Sequence, residues 1–468
     1  MKTKRLIVHS ASYKYPIFTL PTIGVRTYVV TTPDLASVVQ RQSKSYSFYS
    51  FVVDITQRIL GLDEETMRIV RRNADGFEGH HGLMPELHTA TTKSLRPGPE
   101  LDAVSKIQMD AFTGILGDTM ATEECTTGLL SWLSNAFALS NARAIYGPQN
   151  IFAAHPELIP DFWYYESRMI SLASSPVPWL TDRKAYLARE RLYAAMLEYY
   201  EQDHHHNASM FVQTRADISI KHGMTKAMMA RSELIILFGI LANATPTTFW
   251  LLANIYSRPE LLAELRREVM NVTTANGDTR CIQVHKVMES CSLLVSTYRE
   301  TMRHIANLAS VRLVREDTWV ADKYLLKKGS IIQVAGGVIH LDENIWGADA
   351  HEFKPDRFLD DATESDKTSS STKQALPRPR NVPSAAFRSF GGGSVICPGR
   401  HYAQNEIVGF AAAMILAFDI TNPDGTTIAL PEKDDLQIPL SVMKPVVDPL
   451  VSIRPRMGME HIRWIMTL

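Results

Sequence analysis

The chain has 468 residues and is 45% apolar, enough to bury a large core. Its 49 lysines and arginines nearly balance 50 aspartates and glutamates, which excludes the global field that would draw nucleic acid or a strongly acidic partner. Four scattered cysteines, Cys125, Cys281, Cys291 and Cys397, form no C-x-x-C pair and no short-spaced framework. That excludes a disulfide-stapled secreted scaffold and points to a reducing compartment.

In chain order, the N-terminus is basic, and the apolar run after it is too short for a signal peptide or a membrane span. With no anchor visible, the expectation is a soluble or peripheral protein, or a truncated product. Residues 16–31 are rich in β-branched and aromatic types around a glycine, the pattern of a hairpin. Thr32-Pro33-Asp34 then caps a helix beginning near Leu35. From about residue 55 to 300 the pattern is mainly helical, broken at Gly147-Pro148 and at Ser175 to Pro178. His204, His205 and His206 read as a solvated polar turn, since adjacent histidines do not converge like ligands on one helix face.

The longest apolar stretch, residues 234–255, carries Asn243, Thr245, Pro246, Thr247 and Thr248 near its middle. Those polar groups fit a buried helix beside a polar site better than a membrane span. Pro246 has no N–H and displaces the carbonyl four residues earlier, that of Ala242, so a kink is expected there. Further on, Glu300 and Arg303 at i, i+3 share one helix face. A strand bearing Arg312 and Arg315 follows, then a block from His340 to Phe353, then Pro355-Asp356-Arg357-Phe358. Residues 361–386 read as a surface loop, and from Ile420 onward short β-like segments return.

The most informative stretch is Phe390-x-x-Gly393-x-x-x-Cys397-x-Gly399. Gly391 to Gly393 let the backbone turn sharply and a flat ligand approach closely. Cys397 is placed to cap the following helix, with Pro398 as its first residue. The helix dipole there is expected to lower the thiol pKa and favour a thiolate.

This string resembles the haem-binding signature of the cytochrome P450 family, and the ordered landmarks from about residue 16 to 456 extend the resemblance over nearly the whole chain. The nearest likeness is to the branch containing cholesterol 7α-hydroxylase and prostacyclin synthase, and to filamentous-fungal members. The resemblance implies one mainly α domain over residues 1–468, with a smaller β region and a long central helix over haem b. Cys397 would ligate the haem iron, with Phe390, Gly393 and Gly399 shaping the loop. Glu300, Arg303 and Arg357 would form a structural triad, and Arg312 would reach a haem propionate, with Arg315 as fallback. The loop departs from the family at Val395, where an arginine or histidine propionate partner is common. The central helix departs too, leaving Asn243, Thr245 and Thr247 to organise water for oxygen activation.

The function so implied is hydroxylation of a lipophilic small molecule, a terpenoid, sterol or alkaloid of specialised metabolism, using O2. Electrons would come from an NADPH-dependent flavoprotein reductase docked on a basic face that includes Lys373, Arg378, Arg380, Arg388 and Arg400. The expected location is the cytoplasm or the cytoplasmic side of the endoplasmic reticulum, with possible peripheral membrane contact. Two rival readings are a reductase-independent haem isomerase or dehydratase, and a non-catalytic haem or lipid-binding protein.

Overall fold

The N-terminal alternation becomes a hairpin, β1 (Ile17–Thr22) against β2 (Val25–Val30), with Ile17 opposite Val30 and Thr22 opposite Val25. The structure, a computed structural model, describes residues 15–22, 25–79, 81–306, 309–359, 379, 381–434 and 440–468. Helix α1 (Pro33–Arg41) starts two residues before the expected Leu35. Pro33 occupies a first-turn position where an N–H would have no helical partner. Thr32 is the N-cap but makes no side-chain bond. After the short strand β3 (Tyr46–Ser47) the chain becomes mostly helical.

The principal helices then run α2 (Pro99–Met120), α3 (Leu129–Tyr146), α4 (Leu158–Ser174) and α5 (Arg183–Glu201), with strand β4 (Cys125–Gly128) between the first two. Both expected breaks occur. α3 stops at Gly147, whose φ of 82° ends the helical path, and α4 stops before the proline-rich turn at 175–178. Helices α6 (Lys226–Leu241) and α7 (Ala244–Tyr256) divide the long apolar stretch at Ala242–Asn243. Every residue of α7 is buried, so its apolar content serves the core. The span Lys226–Tyr256 is long and apolar enough to cross a membrane, but 67% of its most apolar window is already inside the protein.

Strands β5 (Thr274–Asn276) and β6 (Thr279–Gln283) precede α8 (Ser292–Ile305). β7 (Ala309–Val314), the pair β8 (Thr318–Val320) and β9 (Tyr324–Leu326), and β10 (Ile331–Ala335) follow. β10 lies parallel to β2 and antiparallel to β7, so the main sheet has the order β1-β2-β10-β7-β3. Arg312 sits on β7 of this sheet, opposite Ile332 of β10. After α9 (Arg400–Ala417), strand β11 (Phe418–Thr421) pairs with β12 (Leu450–Pro455), which pairs on its other edge with β4, and β13 (Arg463–Thr467) pairs with β6 beside β5. The chain is therefore mainly α with a smaller β part, as read from the sequence.

α9 is apolar on every side and fully buried from Ile407 to Ala417, as a helix without a polar face must be. Phe410 meets Phe112 of α2 at 4.6 Å between ring centroids and Phe137 of α3 at 5.4 Å. Within this core lies a carboxyl group. Glu406 accepts from Gln108 Nε2 at 2.6 Å and Asn141 Nδ2 at 2.9 Å. Burial pushes its pKa up to about 8, while the two amides act to lower it.

A carboxyl raised in this way is neutral in the folded chain and ionised in the unfolded chain at neutral pH. Its contribution therefore turns against folding as pH climbs from about 4.5 to about 8. Glu406→Gln keeps an acceptor for the two amides and removes this term. We expect it to raise stability by about 3 kcal/mol near neutrality and by little in mild acid, read from urea midpoints across pH.

Candidate active site

Two of the loop glycines adopt backbone conformations that side chains resist, with φ of 76° at Gly391 and 69° at Gly393. At Gly392 the constraint is space, because a Cβ there would lie 2.4 Å from Gln40 Nε2 on α1. The loop closes when Cys397 N–H donates to Phe390 O at 3.0 Å and Ile396 N–H to Gly393 O at 3.2 Å. Phe390 packs part-buried against the main core.

Two sequence expectations need correction here. α9 starts at Arg400 with Gly399 as N-cap, so Cys397 is not the cap and Pro398 is not the first helical residue. The reason is that Cys397 N–H is committed to Phe390, and the first helical carbonyl is that of Gly399, accepting from Ala403 N–H at 2.9 Å. The thiol is also not lowered. Burial pushes the Cys397 pKa up and outweighs the Gly399 amide and the Arg400 guanidinium, which act to lower it. A positively charged iron would supply the missing stabilisation of sulfur.

Behind the loop the structure brings Glu300, Arg303 and Arg357 together. Arg303 grips Glu300 with two parallel bonds of 2.8 Å from Nε and Nη2, and Arg357 Nε donates to Glu300 Oε1 at 3.0 Å. Lys354 N–H adds a fourth bond at 3.0 Å. Burial raises the Glu300 pKa, but Arg303, the His304 ring and the Lys354 amide prevail and bring it to about 2. Arg303 Nη1 also donates to His340 O at 2.6 Å, and the His340 ring accepts from Arg388 N–H at 2.8 Å through Nε2. A continuous chain of hydrogen bonds thus links the triad to the loop that carries Cys397. His340 went unassigned in the sequence, although it heads the block ending at Phe353. It is buried and held neutral, its pKa pushed down to about 3 by burial and by Arg303 and Arg388.

Arg312 is 3% exposed and bonds Ser310 Oγ at 3.1 Å. Arg315 is not its equivalent, being half-exposed beside Asp75 at 4.0 Å. Arg388 is 5% exposed, so it is not part of a basic docking face. Lys373, Arg378 and Arg380 of that face lie outside the described residues. A soft sulfur donor and two buried cations are what an anionic, iron-bearing planar group requires, so the residues present fit the implied haem.

The three polar residues of the central helix break have different fates. Asn243 Oδ1 accepts from Val442 N–H at 3.0 Å, and Thr247 Oγ1 donates to Asn243 O at 2.7 Å. Both are therefore engaged by protein, whereas Thr245 Oγ1 is buried without a hydrogen-bond partner among the described residues. The break is clasped by the chain's C-terminal part. Trp250 Nε1 donates to Met443 O at 2.7 Å, Ser441 Oγ to Glu166 Oε1 at 2.7 Å, and Lys444 Nζ pairs with Glu166 Oε2.

His204 to His206 form a short 3-10 turn, not a loose polar loop, and His205 is buried. Contrary to expectation, donor atoms of Asp203, His205 and His206 lie within 4.8 Å of one another, although Asp203 is paired with Lys226 at 2.7 Å.

The family model described as Cytochrome P450 matches residues 180–446. The chain is 30% identical over 459 residues to the cytochrome P450 monooxygenase nodJ of Hypoxylon pulicicidum, covering 97% of this chain and 85% of that protein. It is 27% identical over 424 residues to a cytochrome P450 monooxygenase of Gibberella zeae, covering 88% and 76%. A shorter match, 28% over 231 residues, is to cytochrome P450 7A1 of Sus scrofa, covering 47% of this chain and 44% of that one.

The triad sets a stability test. Glu300→Gln leaves two buried guanidinium groups short of their shared anion and should cost about 3–5 kcal/mol. Because the folded pKa of Glu300 is depressed, its contribution is full above about pH 4.5 and fades as pH falls toward 2. The difference between wild type and variant in urea midpoint should shrink over that window.

Proposed function

The chain belongs to the cytochrome P450 family and is a P450 monooxygenase, and from that premise we propose that it hydroxylates a lipophilic small molecule of specialised metabolism. A terpenoid, sterol or alkaloid is the proposed substrate class. The fungal monooxygenases among its relatives support that reading. Cys397 would hold haem b by its sulfur, with Phe390 and the Gly391–Gly393 turn shaping the loop that carries it and Arg312 at one propionate. When bound, a thiolate-ligated haem supplies O2 activation and insertion of one oxygen atom into an unactivated C–H bond, on electrons from a reductase.

The chain's own residues perform the rest. The Gly399 amide and Arg400 support charge on Cys397 Sγ, and the triad holds the loop in register through His340. At the central break, Thr245 Oγ1 is the hydroxyl left free to pass a proton, and Pro246 denies the Ala242 carbonyl its usual helical donor. Together they offer a donor and an acceptor for one water, with Asn243 and Thr247 fixing the backbone that carries them. An NADPH-dependent flavoprotein reductase is the proposed electron source. Exposed Trp179 and Leu180, on the short helix Pro178–Thr181, support peripheral contact with the cytoplasmic face of the endoplasmic reticulum.

The observation that carries this proposal is Cys397 closing, by its N–H to Phe390 O, a turn whose Gly391 and Gly393 have the positive φ that glycine favours. Purified protein, reduced and exposed to carbon monoxide, should give the difference band of a thiolate-ligated haem, and Cys397→Ala should abolish it. An unaltered spectrum in Cys397→Ala would overturn the assignment. Product formation that requires NADPH and reductase distinguishes hydroxylation from a reductase-independent rearrangement.

A further inference from the structure

Several buried guanidinium groups in this protein pair with carboxylates, while Arg299 lies over the Phe358 and Phe387 rings. Arg303 and Arg357 share Glu300, Arg215 meets Glu233 at 3.3 Å, and Arg189 meets Glu190 at 2.7 Å. Arg312 and Arg388 break that pattern. Each is at most 5% exposed, and each bonds a neutral oxygen, Ser310 Oγ at 3.1 Å for Arg312 and Ala385 O at 3.3 Å for Arg388. Among the described residues no carboxylate lies within ion-pair distance of either. Among the described residues Arg388 Nη2 is buried with no hydrogen-bond partner. The two also face each other's charge, since burial and then Arg312 bring the Arg388 pKa down to about 10.

Two buried cations with no carboxylate partner among the described residues call for negative charge from a bound group. The group that Cys397 is proposed to hold carries two carboxylates. We propose that Arg388 is the second guanidinium that binds them, opposite Arg312, in the role the loop leaves empty by having Val395. This rests on the haem reading above and deepens it. The root of Arg388 is fixed by two bonds, its N–H to His340 Nε2 at 2.8 Å and its carbonyl from Gly391 N–H at 2.9 Å. One segment, residues 388–397, thereby supplies both the sulfur and one carboxylate contact. The sheet supplies the other through Arg312. A planar guanidinium suits a carboxylate better than an ammonium does, because two parallel N–H groups match its two oxygens.

The test uses holoenzyme in three forms, wild type, Arg388→Met and Arg388→Lys, and follows haem transfer to excess apomyoglobin. Arg388→Met should lose haem about tenfold faster, the equivalent of one charge-assisted hydrogen bond, with the carbon monoxide band retained. Arg388→Lys should fall between, and it carries the test alone if the methionine variant does not accumulate. A second readout is the midpoint potential against pH. With Arg388 removed, one propionate should titrate within the neutral range and give the potential a pH dependence that wild type lacks, which a purely structural role would not do.

Haem loss at the wild-type rate in both variants, with an unchanged pH dependence, overturns the proposal. A raised KM for an acidic substrate with haem loss unchanged also overturns it, assigning the cation to substrate. Absence of the carbon monoxide band from wild type would instead refute the haem-thiolate reading itself.

Discussion

One buried carboxylate holds the back of this protein together. Glu300 is fully enclosed and would be costly as a lone anion, yet it takes four hydrogen bonds from Arg303, Arg357 and the Lys354 amide. Its position decides where Arg303 lies, and Arg303 in turn fixes the His340 carbonyl. The His340 ring then anchors the Arg388 amide, which begins the segment ending at Cys397. A side chain in a helix interior is thus connected to a sulfur far from it in sequence through buried polar contacts rather than through packing alone.

The parts legible in the sequence were those written in local spacing. The hairpin, the breaks at Gly147 and at 175–178, the kink at Pro246 and the apolar α9 all follow from periodicity, turn residues and proline chemistry. Glu300, Arg303 and Arg357 were legible because their order resembles a known family; their spacing alone is that of many surface pairs. What stayed hidden depended on partners remote in sequence. Nothing local shows that Asn243 gives its side chain to Val442, or that Glu406 is met by Gln108 and Asn141.

Arg388 looked like one cation in a solvated run, and its burial between His340, Ala385 and Arg312 is a tertiary fact. The thiol illustrates a competition of magnitudes. A helix N-terminus and a nearby arginine do favour charge on sulfur, but they act over a turn, whereas burial acts on the whole group and is larger. The unfavourable setting of Cys397 in the bare chain and the uncompensated pair Arg312 and Arg388 have a common sense. Each is a deficit that the same iron-bearing, doubly anionic group would fill.

The clasp between the central break and the C-terminal segment has a different bearing. Val442 is held through its N–H and Met443 through its carbonyl, groups that every ordinary residue possesses. At Val442 and Met443 the strip hangs from its main chain, while Ser441 and Lys444 tie its ends to Glu166 by side chains, so its path rests little on which side chains those two middle residues carry. Related genes could therefore diversify what this strip presents by simple point changes, inheriting the scaffold intact while altering taste.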